Sequence, residues 1–522
     1  MAWFSPDGAL LPDIIALNGR WLRGKPALVL DGETISWAEL ADRTAQVANG
    51  LLGAGLEPGD RAVILMTNGL EMAEAIFGAM RAGATVVPLN VSVTNDAVRA
   101  MIDDSGARAV IASDAHVARI DELRDSLPAG IGERYFEVAA EPGSGAGWQS
   151  FTAMRDAAKA APPPIAVAPG DGCNIIYSSG TTGLPKGIVH DHACRMAWAY
   201  DMAVALRYHA GARTLVALGM YSNITWVAML STILAGGTLV LRSRFDQRDC
   251  LQVMQDERIT HFAMVPLMYQ RLLEYEEFER YDLSALQFYM CCGSPLNLEL
   301  KKAIVDGMPG NLIELYGLTE GLITVLAPED LDAKLPSVGR PTPGQALAII
   351  DDDGRELGPG ESGEIVGSSR LMMSGYHNNP AATEAATWVH PSGARWLRTG
   401  DIGRFDEDGF LYIVDRKKDM IISGGQNVYP ADIEAVVLTH EAVSECAVIG
   451  VASRKWGETP VAIVVKRSGN SIDLDAVTAF ANGRLGKQQR IAATIAIDEL
   501  PRNPNGKILK RELRKRFGTL EF

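Results

Sequence analysis

Up to about residue 345 the chain alternates short apolar runs with stretches of helical spacing. Arg61-Ala62-Val63-Ile64-Leu65-Met66 follows the turn residues Pro58-Gly59-Asp60 and reads as a strand. A helical stretch over 70–80 comes next, then Ala84-Thr85-Val86-Val87-Pro88-Leu89, which reads as a second buried strand. Strand, helix and strand in that order imply parallel pairing with the helix as crossover, because a tight hairpin joins only antiparallel neighbours. Upstream, Ser36-Trp37-Ala38-Glu39 has capping-box spacing and predicts a helix ending near Gly53.

Apolar runs followed by helix-like stretches return at 214–218, 237–241, 260–265 and 288–292. From about Gln345 the pattern changes to short strands with Asp-Gly turns, at Asp353-Gly354 and Asp408-Gly409. After the charged break Asp415-Arg416-Lys417-Lys418-Asp419 a small α/β pattern restarts. A helix opens at Tyr429-Pro430-Ala431-Asp432, with Pro430 in its first turn, strands appear at 447–451 and 460–466, and a helix begins at Asp473. The prediction is an α/β fold with two domains. Residues 1–416 form a large N-terminal domain of layered α/β subdomains plus a β-rich part, and residues 417–522 a small α+β C-terminal domain.

Composition narrows the function classes. With 522 residues, 47% hydrophobic and 22% charged, the chain has the balance of a globular enzyme with ample core. Its net charge of -15 argues against nucleic acid as a general partner, since phosphate contacts need clustered Lys and Arg. The six cysteines show no C-x-x-C spacing, so neither a zinc site nor a disulfide framework is expected, and a reducing cytoplasm fits. No apolar stretch is long enough to span a membrane, and the first residues lack the basic-then-apolar pattern of a secretory signal.

The chemistry-bearing stretch is Tyr177-Ser178-Ser179-Gly180-Thr181-Thr182-Gly183-Leu184-Pro185-Lys186-Gly187, which leaves the apolar run Asn174-Ile175-Ile176. Glycines let backbone N–H groups approach an anion, hydroxyls donate to its oxygens, and Lys186 adds charge. The lysine precedes Gly187 rather than Ser or Thr, so this is not a P-loop. Taken by composition, a flexible surface loop is the competing reading. Further along stand Gly293-Ser294-Pro295, then Leu315-Tyr316-Gly317-Leu318-Thr319-Glu320, then Arg398-Thr399-Gly400-Asp401. Pro501-Arg502-Asn503-Pro504-Asn505-Gly506-Lys507 closes the series as an exposed loop presenting one ammonium.

These stretches, in this order over nearly the whole chain, resemble the adenylate-forming superfamily of acyl-CoA synthetases, adenylation domains and luciferases. The resemblance implies ATP, Mg²⁺ and coenzyme A, and a carboxylic acid as the small-molecule partner. It makes Ser178, Ser179, Gly180, Thr181, Thr182, Gly183 and Lys186 the phosphate loop. Gly293, Ser294 and Pro295 line the adenine pocket, and Tyr316 beside Gly317 stacks on the base. Thr319 contacts the α-phosphate and Glu320 helps to hold the metal, as suits a hard carboxylate. Asp401 takes the ribose hydroxyls with Arg416 nearby, Lys418 is the hinge of a mobile C-terminal domain, and Lys507 bridges substrate carboxylate and α-phosphate. Lys507, Lys186, Thr319 and Glu320 form the expected catalytic set, and Gly424 and Gly425 line the coenzyme A tunnel.

One departure concerns the acid. Where the family often carries an aromatic-His pair, this chain reads Gly219-Met220-Tyr221-Ser222-Asn223, with Tyr221 at the His position. Tyr221, Trp226, Met264 and Met268 are candidates for an apolar acyl pocket, with ordinary core as the alternative for each. An aromatic or medium-chain acid is favoured over acetate. Loading of a carrier-protein thiol and non-catalytic nucleotide binding remain as alternatives, and a second copy of the chain, as a homodimer, is a candidate partner.

Overall fold

The computed structural model describes residues 8–139, 147–178, 185–424, 426–467, 472–503 and 506–522. The chain forms two compact units. The larger holds residues 1–335, 341–345 and 368–387, and the second holds 336–340, 346–367 and 388–522.

Two sheets build the larger unit. In one, the neighbouring strands are Ile323–Leu326, Asn311–Gly317, Phe288–Cys291, His261–Met264, Arg213–Val216, Thr238–Leu241, Pro26–Leu30 and Glu33–Ser36. The inner pairs are parallel and the outer hairpins antiparallel. The other sheet runs Gly375–Tyr376, Lys186–Asp191, Gly172–Ser178, Thr85–Pro88, Arg61–Leu65, Ala109–Ser113, Tyr135–Val138 and Gln149–Ser150. Its strand Arg61–Leu65 pairs in parallel with Thr85–Pro88, as the strand-helix-strand pattern required.

The helix Trp37–Gly53 opens on the expected capping box: the Ser36 hydroxyl accepts from Glu39 N–H, and the Glu39 carboxylate accepts from Ser36 N–H at 2.8 Å. It packs on the helix Leu70–Arg81, in which all but one residue near the start are wholly enclosed or nearly so, as a crossover helix between two sheets must be. A Cβ at Gly78 would lie 2.4 Å from the Val47 side chain, so only glycine allows that crossing. Glu74 is buried within this helix and is held by Arg43 and Arg155 at 2.9 and 2.6 Å, which spares the unit an unpaired buried charge.

In the second unit, Arg395–Phe405 and Leu411–Arg416 form a long antiparallel hairpin in a sheet with Gly363–Ser368. A further sheet is built on Val443–Ser453 and Gly457–Lys466, with Ala493–Ala496 parallel to the latter. Alternate residues feed opposite faces: Cys446 and Val448 enter one core, Ala447, Ile449 and Val451 the other. Helices Pro430–Leu438 and Leu474–Asn482 cover one face and Lys510–Phe517 the other.

The second compact unit takes in residues on both sides of 416/417. Asp415 Oδ2 accepts from the Ala431 N–H at 2.9 Å, and Asp419 accepts from Arg514 at 2.5 Å. Both carboxylates are buried, and the charged break is stitched to the helices Pro430–Leu438 and Lys510–Phe517. A run of charges reads as a solvated linker until its partners are known. Among the described residues no helix is long and apolar enough to cross a membrane.

Candidate active site

In the larger unit, β1 (Gly172–Ser178) and β2 (Lys186–Asp191) pair antiparallel, with Ser178 opposite Lys186. They hold the two ends of the glycine-rich loop close together. Ser179, Gly180, Thr181, Thr182 and Gly183 of that loop lie outside the described residues. After β2 come α1 (His192–Ala205) and α2 (Asn223–Ala235). The strands β3 (Asn311–Gly317) and β4 (Ile323–Leu326) are antiparallel, with Gly317 opposite Ile323, so 318–322 is a tight turn that presents Thr319 and Glu320. Gly321 in that turn has φ +123°, and a Cβ there would lie 2.3 Å from the Leu371 carbonyl oxygen. The turn is thereby pressed onto backbone that no other residue would let so close. Met373 N–H donates to the Glu320 carbonyl at 2.8 Å, and the Ser369 hydroxyl donates to Gly321 O at 2.8 Å.

Tyr376, in β5 (Gly375–Tyr376), joins the two halves of this site. Its hydroxyl donates to Glu320 Oε1 at 2.8 Å, and Lys186 Nζ sits 4.8 Å from its ring centroid. Burial and the Glu320 charge push its phenol well above the ordinary range, so it stays a donor. The sequence reading missed Tyr376. The nearest signal was its strand pairing with Ile188, two residues beyond Lys186, which no local pattern reveals. Tyr316 is half-buried and Gly317 exposed. Gly293 follows the strand Phe288–Cys291 with φ +94°, with Ser294 half-buried and Pro295 exposed.

On the acyl side, Tyr221 is half-buried, and a Cβ at Gly219 would collide with its ring. Trp226 is fully buried, donates its indole N–H to Met220 O at 2.8 Å and packs in the main core. Met264 and Met268 are also buried. Asn68, another residue absent from the sequence reading, accepts from Met220 N–H at 2.8 Å and donates to Leu218 O at 3.1 Å, bracing this loop from within.

In the second unit β6 (Arg395–Phe405) carries Asp401 opposite Arg416 of β7 (Leu411–Arg416), and Arg416 Nε meets Asp401 Oδ1 at 2.7 Å. The Thr399 hydroxyl orients the same turn, accepting from Asp401 N–H at 3.0 Å and donating to Ile365 O at 2.8 Å. Lys507 shares this neighbourhood. Burial is the main cause that lowers its ammonium to about 8, with Arg416 and Lys418 adding to the shift and Asp401 and Asp419 opposing it. Lys507 is half-buried, where the sequence suggested an exposed lysine. Lys418 is also lowered, chiefly by burial. Gly424 has φ +60°, donates its N–H to Trp456 O at 2.8 Å, and would place a Cβ 2.8 Å from the Trp456 ring. Gly425 lies outside the described residues.

With these two sets in place, the comparisons with known proteins are decisive for class. Residues 19–377 match the model of the AMP-binding enzyme, and 432–507 that of the AMP-binding enzyme C-terminal domain. The chain belongs to the AMP-binding enzyme family. It is 35% identical to a feruloyl-CoA synthase of an Amycolatopsis species, over 93% of this chain and 95% of that one. It is 34% identical to the long-chain-fatty-acid–CoA ligase FadD13 of Mycobacterium tuberculosis, over 92% of each. Among solved structures, ATP-bound MatB from Rhodopseudomonas palustris superposes with TM-score 0.88 at 28% identity, covering 98% of this chain and 99% of that one. The activity class is that of an AMP-forming acid–thiol ligase working through an acyl-adenylate.

Proposed function

We propose that the protein activates a carboxylic acid, aromatic or medium-chain rather than acetate, and delivers the acyl group to coenzyme A. The observation that supports this most is the convergence of Lys186, Tyr376 and Glu320, far apart in sequence, beside the turn that carries Thr319. In the first step a carboxylate oxygen bonds to the α-phosphorus of ATP, the bond to the β-phosphate oxygen breaks, and pyrophosphate leaves. A carboxylate is a weak nucleophile, so catalysis rests on positioning and on fixed charge. Lys186 and Lys507 supply that charge, the Thr319 hydroxyl donates to the α-phosphate, and Tyr316 packs on adenine. Asp401, oriented by Arg416 and Thr399, accepts from ribose hydroxyls.

Magnesium fits the donor set. Glu320 offers a hard carboxylate, and no group of three ligating side chains surrounds it among the described residues. Such a site suits a cation that completes its shell with phosphate oxygens and water. When bound, it neutralises triphosphate charge. In the second step the coenzyme A sulfur bonds to the acyl carbon, AMP departs with the bridging oxygen, and the thiol proton passes to solvent. Lys418 serves as the hinge between the two half-reactions, and Gly424 keeps the pantetheine path narrow and free of side chain. A cytoplasmic setting belongs to this reading, all six cysteines being unpaired.

A panel of acids read by pyrophosphate release, with and without coenzyme A, tests it. The expected result is acid-dependent pyrophosphate release and AMP release that requires coenzyme A. AMP release that requires a carrier-protein thiol instead would reassign the second step. Absence of pyrophosphate with every acid would overturn the reading.

A further inference from the structure

Arg195 of α1 is fully buried, and among the described residues no carboxylate pairs with it. A guanidinium out of water without an ionic partner is costly, so its remaining contacts must be strong and specific. They are. Nε donates to Asn174 Oδ1 at 2.6 Å, Nη1 to Asn223 Oδ1 at 2.8 Å, and Nη2 lies 3.1 Å from His190 Nδ1. The indoles of Trp226 and Trp198 lie 5.0 and 5.5 Å from its central carbon. The other titratable groups facing it are Cys173 and Cys194, both held as thiols by burial, which pushes each to about 12.

Arginine only donates, so His190 Nδ1 must accept. The Asn174 amide nitrogen, 3.4 Å from the same atom, points to the same role. His190 is therefore neutral with its proton on Nε2, and that proton is donated to the Thr319 carbonyl at 2.9 Å. Burial and the Arg195 charge both keep the ring from charging. The result is one continuous chain of bonds. It runs from Asn223, at the start of α2 beside Tyr221, through Arg195 and His190 to the backbone of the turn bearing Thr319 and Glu320.

We propose that Arg195 is a positioning residue for acyl-adenylate formation: acting through His190, it clamps the Thr319 turn and ties that clamp to the helix behind the acyl wall. This rests on the adenylation reading above. The fork is what matters, since lysine could not reach Asn174, Asn223 and His190 together.

The experiment compares the wild type with Arg195→Met, Asn223→Ala and His190→Gln. Pyrophosphate release is followed against pH, and the ¹⁵N shifts of the His190 imidazole are recorded without substrate. In the wild type the shifts should report a fixed Nε2–H tautomer that does not titrate between pH 5 and 8. In Arg195→Met the lock is gone: His190 should titrate, and kcat for pyrophosphate release should fall about thirtyfold with the ATP KM changed less than about threefold, as for a group acting on the transition state. A new ionisation should enter the Arg195→Met pH–rate profile and be absent from Arg195→Met/His190→Gln. Asn223→Ala, which removes one arm at a half-exposed residue, should raise the acid KM and lower kcat in the same direction, and it stands in if Arg195→Met does not fold. A wild-type His190 that titrates, or variants whose kcat and pH profile match wild type, would overturn the clamp. Wild type that releases no pyrophosphate while its His190 shifts remain locked would instead overturn the adenylation reading.

Discussion

In the larger unit Lys186 lies over the Tyr376 ring and Glu320 accepts that ring's hydroxyl, whereas in the second unit Lys507 shares its surroundings with Arg416 and Lys418. The first arrangement pairs a cation with an aromatic face and a carboxylate with a phenol. The second gathers cations: Lys418 and Lys507 lie near Asp401 and Asp419, where Arg416 already bonds Asp401 and Arg514 already bonds Asp419. The larger unit thus behaves as a preorganised frame, in which fixed dipoles cost little reorganisation during reaction. The second unit holds a cation whose charge burial disfavours, which on the proposed reading an incoming anion would restore. If the same reaction draws on both strategies, they should fail differently.

Removing that cation should have the largest effect. Lys507→Ala is expected to slow adenylation about a thousandfold, the scale for deleting a transition-state charge contact. Thioester formation from pre-made acyl-adenylate should persist. Single-turnover assays of the two half-reactions check this, and an equal loss in both would erase the distinction between the units. pH offers a gentler version of the same test. Lys507 is useful as the ammonium, and its lowered value means that this form is lost as pH rises through about 8. In adenylation, kcat/KM for ATP should therefore fall above pH 8, while kcat, which reports the bound state, should hold to higher pH because the triphosphate stabilises the charge. Coincident limbs would mean that Lys507 does not meet the anion.

Legibility in the sequence divides along a similar line. The parallel strands and the Ser36–Glu39 cap depend on neighbours in sequence, and local spacing revealed them. The glycine-rich loop, the Thr319 turn and Lys507 could be singled out as candidates because each is a compact stretch of unusual composition. Tyr376, Asn68 and Arg195 were not: each acts on residues 56, 152 and 28 positions away, through single side chains in ordinary surroundings. The surroundings of the break at 415–419 escaped the sequence for a related reason. Its charges look like a linker, and only Ala431 and Arg514 show that they are buried partners. The acid escaped the sequence because Trp226 and Met264 are buried whether they serve core or substrate.

Within the frame, the carboxylate comes next in expected effect. Glu320→Gln keeps the shape and can still accept from Tyr376, but it withdraws a negative charge from a hard-cation site. The Mg²⁺ concentration for half-maximal pyrophosphate release should rise about tenfold, within the range for losing part of a metal's surroundings. A Mg²⁺ titration identical to wild type would remove Glu320 from that role and leave the Tyr376 bond as a structural brace.

The smallest expected effect is the most diagnostic of preorganisation. Tyr376→Phe deletes one hydroxyl and leaves the ring that Lys186 rests on, so the cation–π contact survives while Glu320 loses its donor. A hydrogen bond to a charged acceptor contributes about 1.5–3 kcal/mol when buried, and less here because both partners are half-buried. Roughly 1 kcal/mol corresponds to about a fivefold loss, which should fall on kcat in adenylation and leave the acid KM unchanged. Because the phenol stays protonated well past neutrality, the ratio of wild-type to variant rate should be flat from pH 6 to 9. Any titration of Lys507 in that window is common to both proteins and cancels from the ratio. A ratio that instead changed with pH would mean that Tyr376 and Lys507 are coupled, and the contrast between a preorganised frame and a cation whose charge burial disfavours would no longer hold.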